Sequence, residues 1–452
     1  MVSWVNEAFF YHVYPLGCLG APRQNELSAP LTHRLPQLLA WLDHIQELGC
    51  NALYLGPLFE SSSHGYDTID YTRVDRRLGD NADLKVFSDE LHRRGMRLIL
   101  DAVFNHTGRD FPQFQDVQRH REGSAYRDWF HGMDFNKSSP LGDPFTYSSW
   151  AGHYSLVKLN QQNHEVQELL FSAVRYWIDE WQIDGLRLDA ADCLDLDFLR
   201  ELRRRCDQWK PDFWLMGEIS HSDYRTWANE QTLHSVTNYE AYKGLYSSLA
   251  DRNYFEIAYS LNRQFGADGI YRHLTLYNFA DNHDVNRVAS SLPDARMLYP
   301  LHLLLFTMPG VPSIYYGSEW GITGKKTPHT DVELRPALEL ASMSQTAPQP
   351  DLPGVIRRLA DLRRQLVPLR RGAYRQVMVA SHQMAFLRET EGERTLILLN
   401  AQDGSAPLKL PAAPDLAGTW QDVLNGDERI HLHGGTQSIP VPSFWGRVLR
   451  QV

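Results

Sequence analysis

The strongest constraint on the fold is an alternation. Short apolar runs recur between helical patterns, and four of them lead into a polar or acidic end: LILDAVFNH (98–106), DGLRLDAAD (184–192), FWLMGEI (213–219) and YNFADNHD (277–284). A short continuous apolar run is how a strand buried on both faces reads. Strand candidates of this kind lie at 8–14, 52–55, 97–103, 185–188, 213–217, 235–238, 274–279 and 313–316. Helical patterns fill the gaps at 34–48, 81–94, 165–182, 197–208, 242–265 and 295–308, with a last at 355–366. In the first helix, Leu35, Leu38, Leu39, Leu42, Ile45 and Leu48 recur at spacings of three and four, and Gly49 closes it. Strand–helix alternation argues a parallel sheet with helices outside. Eight strands is the number that a (β/α)8 TIM barrel of the α/β class needs.

The rhythm breaks twice. From 107 to 160 the chain is rich in Gly, Ser, Asp, Pro and aromatics and shows no period. A stretch of that length inside a compact domain reads as a small inserted subdomain rather than a loop. After 372, short strand-like runs separated by turn residues predict an appended antiparallel β-sandwich. The expected domains are therefore 1–106 with 161–371 (catalytic barrel), 107–160 (inserted subdomain) and 372–452 (C-terminal β-sandwich).

Composition narrows the partners. The 452 residues carry a net charge of -10, which disfavours nucleic acid. No apolar stretch approaches a membrane span, and no basic segment precedes an apolar core at the N-terminus. Cys18, Cys50, Cys193 and Cys206 form no CxxC pair, as suits reduced thiols. The expectation is a soluble cytoplasmic protein with no membrane partner, its oligomeric state left open.

In a parallel barrel, functional groups collect at the C-terminal strand ends. Asp101, Asn105, His106, Arg187, Asp189, Glu218, His283 and Asp284 would all converge there. There is no GxGxxG loop, no phosphate-cradling P-loop and no metal-ligand spacing, so the metal expectation is none. Three carboxylates with an arginine and histidines fit glycoside hydrolysis best, one carboxyl as nucleophile and another as acid/base.

These segments, with FYHVYP (10–15), HGYDTIDY (64–71) and PGVPSIYYGSE (309–319), resemble the α-amylase family of glycoside hydrolases in order and spacing over nearly the whole chain. The resemblance implies a retaining mechanism with Asp189 as nucleophile, Glu218 as general acid/base and Asp284 as the carboxylate that holds sugar hydroxyls. Arg187 would keep Asp189 ionised and oriented, and the pKa of Glu218 is expected above that of Asp189. Substrate-binding positions implied are Tyr66 as a stacking ring, His106 and His283 on sugar hydroxyls, Arg287 on the donor side, and Asp67 beside Tyr66. Asp101 would support without reacting.

The resemblance also implies departures. Many α-amylases bind Ca2+ between barrel and subdomain, using an Asn matched by Asn105 and a His four residues after the nucleophile. Here that position is Cys193, preceded by Asp192, and Lys158 interrupts a stretch that often reads PDLN. A thiol and an ammonium are poor Ca2+ ligands, so the expectation is no cofactor at this place, with a peripheral ion possible. Ala190 resembles members acting on α-1,4 bonds. No counterpart is expected of the N-terminal β-domain through which many cyclomaltodextrinases dimerise. The expected substrate is an α-glucan or malto-oligosaccharide. Alternatives are 4-α-glucanotransferase or cyclomaltodextrinase/α-glucosidase specificity, and more remotely a non-catalytic sugar-binding barrel.

Overall fold

A computed structural model describes residues 2–452. Eight parallel strands form one sheet: β1 (Phe10–Val13), β2 (Ala52–Leu55), β3 (Arg97–Ala102), β4 (Gly185–Leu188), β5 (Trp214–Gly217), β6 (Ser235–Val236), β7 (Tyr277–Phe279) and β8 (Val311–Tyr315). Their order is β6-β5-β4-β3-β2-β1-β8-β7. A parallel bridge from Thr237 to Tyr277 joins the two ends, and the Asn238 amide donates to the Tyr277 carbonyl across that seam at 2.8 Å. The sheet is a closed (β/α)8 barrel.

Side-chain alternation explains the apolar runs. Leu98 and Leu100 of β3 pack outward with the helices. Ile99 packs inward with Phe10, Tyr54, Trp214, Met216 and Phe279. The 3-10 turn Ser3–Glu7 closes the bottom, with Val2, Val5 and Ala8 in the same interior cluster. The same alternation turns Asp101 and Arg187, register partners across β3 and β4, toward the axis one layer higher.

The surrounding helices are α1 (Trp41–Glu47), α2 (Asn81–Arg93), α3 (His164–Trp181), α4 (Leu196–Trp209), α5 (Tyr239–Ala250), α6 (Phe255–Phe265), α7 (Leu298–Thr307) and α8 (Leu352–Gln365). The helix expected over 34–48 opens as a 3-10 segment, Leu35–Ala40, with Pro36 in its first turn. The long pattern over 242–265 is two helices, because the chain turns at Arg252, whose φ is 52°. A hairpin of Phe59–Ser61 and Thr68–Val74, not foreseen in the sequence, follows β2. Its buried Glu60 is held by Arg73 at 3.1 Å and Arg76 at 3.0 Å.

Over 106–160 the chain makes a helix, Pro112–His120, and a small antiparallel sheet of His106–Gly108, Ser149–Trp150 and His153–Lys158. At the C-terminus a six-stranded sheet follows the order β9-β10-β11-β16-β13-β14, from β9 (Ala373–Val379), β10 (Gln383–Thr390), β11 (Glu393–Asn400), β13 (Gly418–Asp422), β14 (Glu428–Leu432) and β16 (Trp445–Gln451). The ribbon β12 (Ala406–Leu410) with β15 (Gln437–Val441) covers one face, burying Leu387, Leu398, Leu408, Trp420 and Ile439 between the layers. No helix among the described residues is long and apolar enough to cross a membrane.

Candidate active site

The site is built around one buried guanidinium at the C-terminal strand ends. Arg187, 3% exposed, points inward from β4. Its Nη1 donates to Asp101 Oδ1 at 2.9 Å and to Asp189 Oδ1 at 3.0 Å. Its Nη2 lies 2.8 Å from Glu218 Oε2. Burial disfavours the cation, but the carboxylates of Asp101 and Glu218 outweigh it and hold Arg187 firmly charged. Asp101 is completed by the hydroxyls of Tyr54 at 2.7 Å and Tyr66 at 3.0 Å.

Asp189 and Glu218 follow directly on β4 and β5, neighbours in the sheet. Ala190 has a φ of 44°, and its amide donates to Glu218 Oε2 at 3.1 Å, tying the two strand ends together. Tyr239, at the start of α5, donates from its hydroxyl to Glu218 Oε1 at 3.2 Å. Burial, with the charges of Glu218, Asp101 and Asp284, pushes the Asp189 carboxyl well above the usual carboxylate range against the pull of Arg187. Arg187, expected to keep Asp189 ionised, works against this crowding. The strand ends crowd acids around Asp189, and one shared guanidinium does not neutralise them all.

Asp284 has the opposite environment. Burial works against its charge, yet His283, Arg335 and Arg187 hold its carboxyl far below the ordinary range. His283 Nε2 lies 2.9 Å from Asp284 Oδ2, and Arg335 Nη2 lies 3.0 Å from Oδ1. Arg335 also donates to the His283 carbonyl at 3.0 Å and rests on the Tyr14 ring at 4.6 Å.

Tyr66 sits in the hairpin turn. Its ring stacks on His283 at 5.5 Å, and its hydroxyl meets His283 Nε2. His106 Nε2 lies 3.9 Å from Asp189 Oδ2. Burial lowers the His106 pKa to about 3, so its ring is neutral. Asp67 is buried beside Tyr66 and accepts from Ser63 Oγ at 2.6 Å. His106 Nε2, His283 Nδ1 and Asp67 Oδ1 are buried with no hydrogen-bond partner. An unsatisfied buried polar group costs about 1–3 kcal/mol, so three in one region favour a ligand rich in hydroxyls.

Arg287 corrects the sequence reading. It is fully buried and does not face the cleft. Its guanidinium donates to the carbonyls of Tyr316 at 2.5 Å and Leu334 at 2.9 Å and to Ser318 Oγ at 3.1 Å, over the Tyr315 ring at 4.1 Å. The cation beside Asp284 is instead Arg335, which arrives from an irregular loop with no period to announce it. Tyr239 was missed for a related reason: at the head of a helix it reads as packing.

The residues at the family's calcium position are a poor match for that ion. Asn105 Oδ1 is buried without a partner. The positions that the resemblance pairs with it hold Cys193, an exposed free thiol, and Lys158, whose charge acts on that thiol. A soft thiol and a cation oppose a hard divalent ion.

A closed parallel barrel carrying a carboxylate pair on one arginine at its strand ends has the architecture of a barrel glycosidase. The comparisons agree. Residues 37–351 match the alpha amylase catalytic-domain family. The chain is 33% identical over 419 residues to a cyclomaltodextrinase from a Bacillus species, covering 88% of this chain and 73% of that protein. It is 32% identical over 477 residues to neopullulanase 2 of Thermoactinomyces vulgaris, covering 99% and 78%. The solved cyclic alpha-maltosyl-(1→6)-maltose hydrolase of Arthrobacter globiformis, in complex with that sugar, superposes with a TM-score of 0.82 at 27% identity over 99% of each chain. This chain belongs to the α-amylase family of glycoside hydrolases.

Proposed function

We propose that the chain hydrolyses α-1,4-glucosidic bonds of malto-oligosaccharides, cyclic ones included, with retention of configuration. The observation that carries this reading is the single Arg187 guanidinium spanning Asp189 at 3.0 Å and Glu218 at 2.8 Å. That arrangement holds both carboxyls on one cation at neighbouring strand ends, as a retaining pair roughly 5–5.5 Å apart requires.

Glu218 gives its proton to the glycosidic oxygen while Asp189 attacks the anomeric carbon. The leaving sugar departs with that proton, and a glycosyl ester forms on Asp189. Glu218 then takes a proton from water, whose oxygen displaces Asp189 and frees the product. Asp284, kept ionised by His283 and Arg335, holds ring hydroxyls. Neutral His106 and the stacked Tyr66–His283 pair bind the same sugar, with Asp67 at its edge. Arg287 acts behind the site by fixing the loop after Asp284.

The names of the relatives favour small or cyclic maltodextrins over long polymer. A time course of products from β-cyclodextrin, maltoheptaose, panose and starch tests this. Ring opening followed by maltose release is expected; attack on starch alone contradicts it. Products longer than maltotriose, made from maltotriose, identify glucanotransfer instead.

We also propose that no Ca2+ occupies the Asn105 position. Activity and melting temperature are then insensitive to a strong chelator, and a large loss of either contradicts the assignment. The four free cysteines support a cytoplasmic location; activity found only in cell-free supernatant of the native host opposes it.

A further inference from the structure

At the end of the barrel opposite the cleft, a cavity of about 610 Å³ lies between the starts of β7 and β8 and the C-terminal sheet. Arg272, Arg370, Arg371 and Arg388 line it with Tyr374, and no acidic residue does. This concentration of cations occurs in a chain of net charge -10.

Arg388 forms the floor. It is 1% exposed, and its guanidinium meets only carbonyl oxygens: Thr307 at 2.7 Å and Gly372 at 2.8 Å. Thr307 ends α7, so the helix dipole offsets part of the charge. Burial and the like charge of neighbouring Arg363 bring Arg388 down to about 9. At the rim, Arg370 and Arg371 share one carboxylate, Glu7. Arg370 Nε is buried without a partner. Arg272 donates to the Ala267 carbonyl at 2.7 Å and keeps further donors. Tyr374 is 4% exposed, and its hydroxyl has no hydrogen-bond partner.

Among the described residues Glu7 is the one carboxylate in ion-pair contact with these four guanidiniums, with Glu393 acting on Arg370 from further off, which leaves a concave, positive site. Buried cations are ordinarily paired, and planar guanidiniums match a phosphate bidentately. The volume falls within the range of about 300–1,000 Å³ typical of small-molecule sites. We propose that this cavity binds a phosphate monoester of sugar size, which bridges the barrel and the C-terminal sheet. The phosphate meets Arg388, Arg371 and Arg272, and Tyr374 donates its hydroxyl.

The test is calorimetry and thermal melting of the full chain with glucose 6-phosphate, inorganic phosphate and glucose at constant ionic strength. Saturable binding and a rising melting temperature are expected for the two phosphates and not for glucose. The rim variant Arg272→Ala/Arg371→Ala should weaken phosphate binding at least tenfold and leave maltotriose hydrolysis unchanged. Arg388→Lys, which keeps the buried charge but removes the fork, should weaken it too. Absence of saturable binding, binding undiminished in the rim variant, or an equal shift with potassium chloride at the same ionic strength overturns the proposal.

Discussion

Replacing Arg335 by alanine removes one of the cations that hold Asp284 ionised. The guanidinium lies 3.0 Å from the Asp284 carboxylate, with Arg335 12% and Asp284 34% exposed. A hydrogen bond to a charged group contributes about 1.5–3 kcal/mol, and the partly exposed carboxylate places this one near the lower end. Because each ~1.4 kcal/mol is a factor of ten in rate, that contact alone accounts for about tenfold in kcat/KM. Arg335 also fixes the His283 carbonyl and covers Tyr14, and misplacing the sugar-holding groups extends the loss to between tenfold and a hundredfold. The assay is kcat/KM for maltotriose, with melting temperature as control. Arg335→Lys should recover part of the activity, since an ammonium restores charge but not the fork. A folded Arg335→Ala enzyme within twofold of the parent refutes the reasoning.

Arg287→Met removes buried carbonyl contacts and should lower stability by about 3 kcal/mol in denaturant unfolding; a variant as stable as the parent contradicts its buried role. Glu218→Gln should reduce kcat about 10²–10⁴-fold, the usual contribution of a general acid, and intact hydrolysis contradicts its role. Burial and neighbouring acids raise Asp189 in the free enzyme, so the acid limb of kcat/KM should fall at higher pH than an ordinary carboxylate near ~3.9 gives; a limb below that contradicts the crowding argument. Asp184 sits among His92, Lys210 and Arg97, which overcome burial and depress its carboxyl strongly. A depressed group contributes stability above its unfolded pKa and loses it as pH falls. Asp184→Asn should therefore cost about 3 kcal/mol near neutrality, with the gap to the parent closing in acid.

The barrel and the acids gathered at its strand ends were legible because two local rules coincide. Apolar runs mark strands buried on both faces, and alternation fixes that Arg187 and Asp189 lie on one side of β4. What stayed hidden depends on contacts across the sequence. Arg335 meets Asp284 over 51 positions, through a loop whose path no local pattern sets. Arg287, three positions after Asp284, looked like part of the site, yet the chain turns it inward onto the carbonyls of Tyr316 and Leu334. The hairpin that carries Tyr66 was obscured because Glu60 and Asp70, charged residues that pair in register, break its apolar alternation. In the C-terminal sheet, β13 and β14 carry a weak sequence signal because Gln421, Arg429 and His431 face outward between few apolar neighbours.

The central claim is that Asp189 carries the glycosyl group. Trapping with a fluorinated glycosyl fluoride, followed by peptide mass spectrometry, tests it directly. The expected result is one glycosyl unit on the peptide containing Asp189, formed as activity is lost. An adduct on another residue, or inactivation with none, contradicts the account.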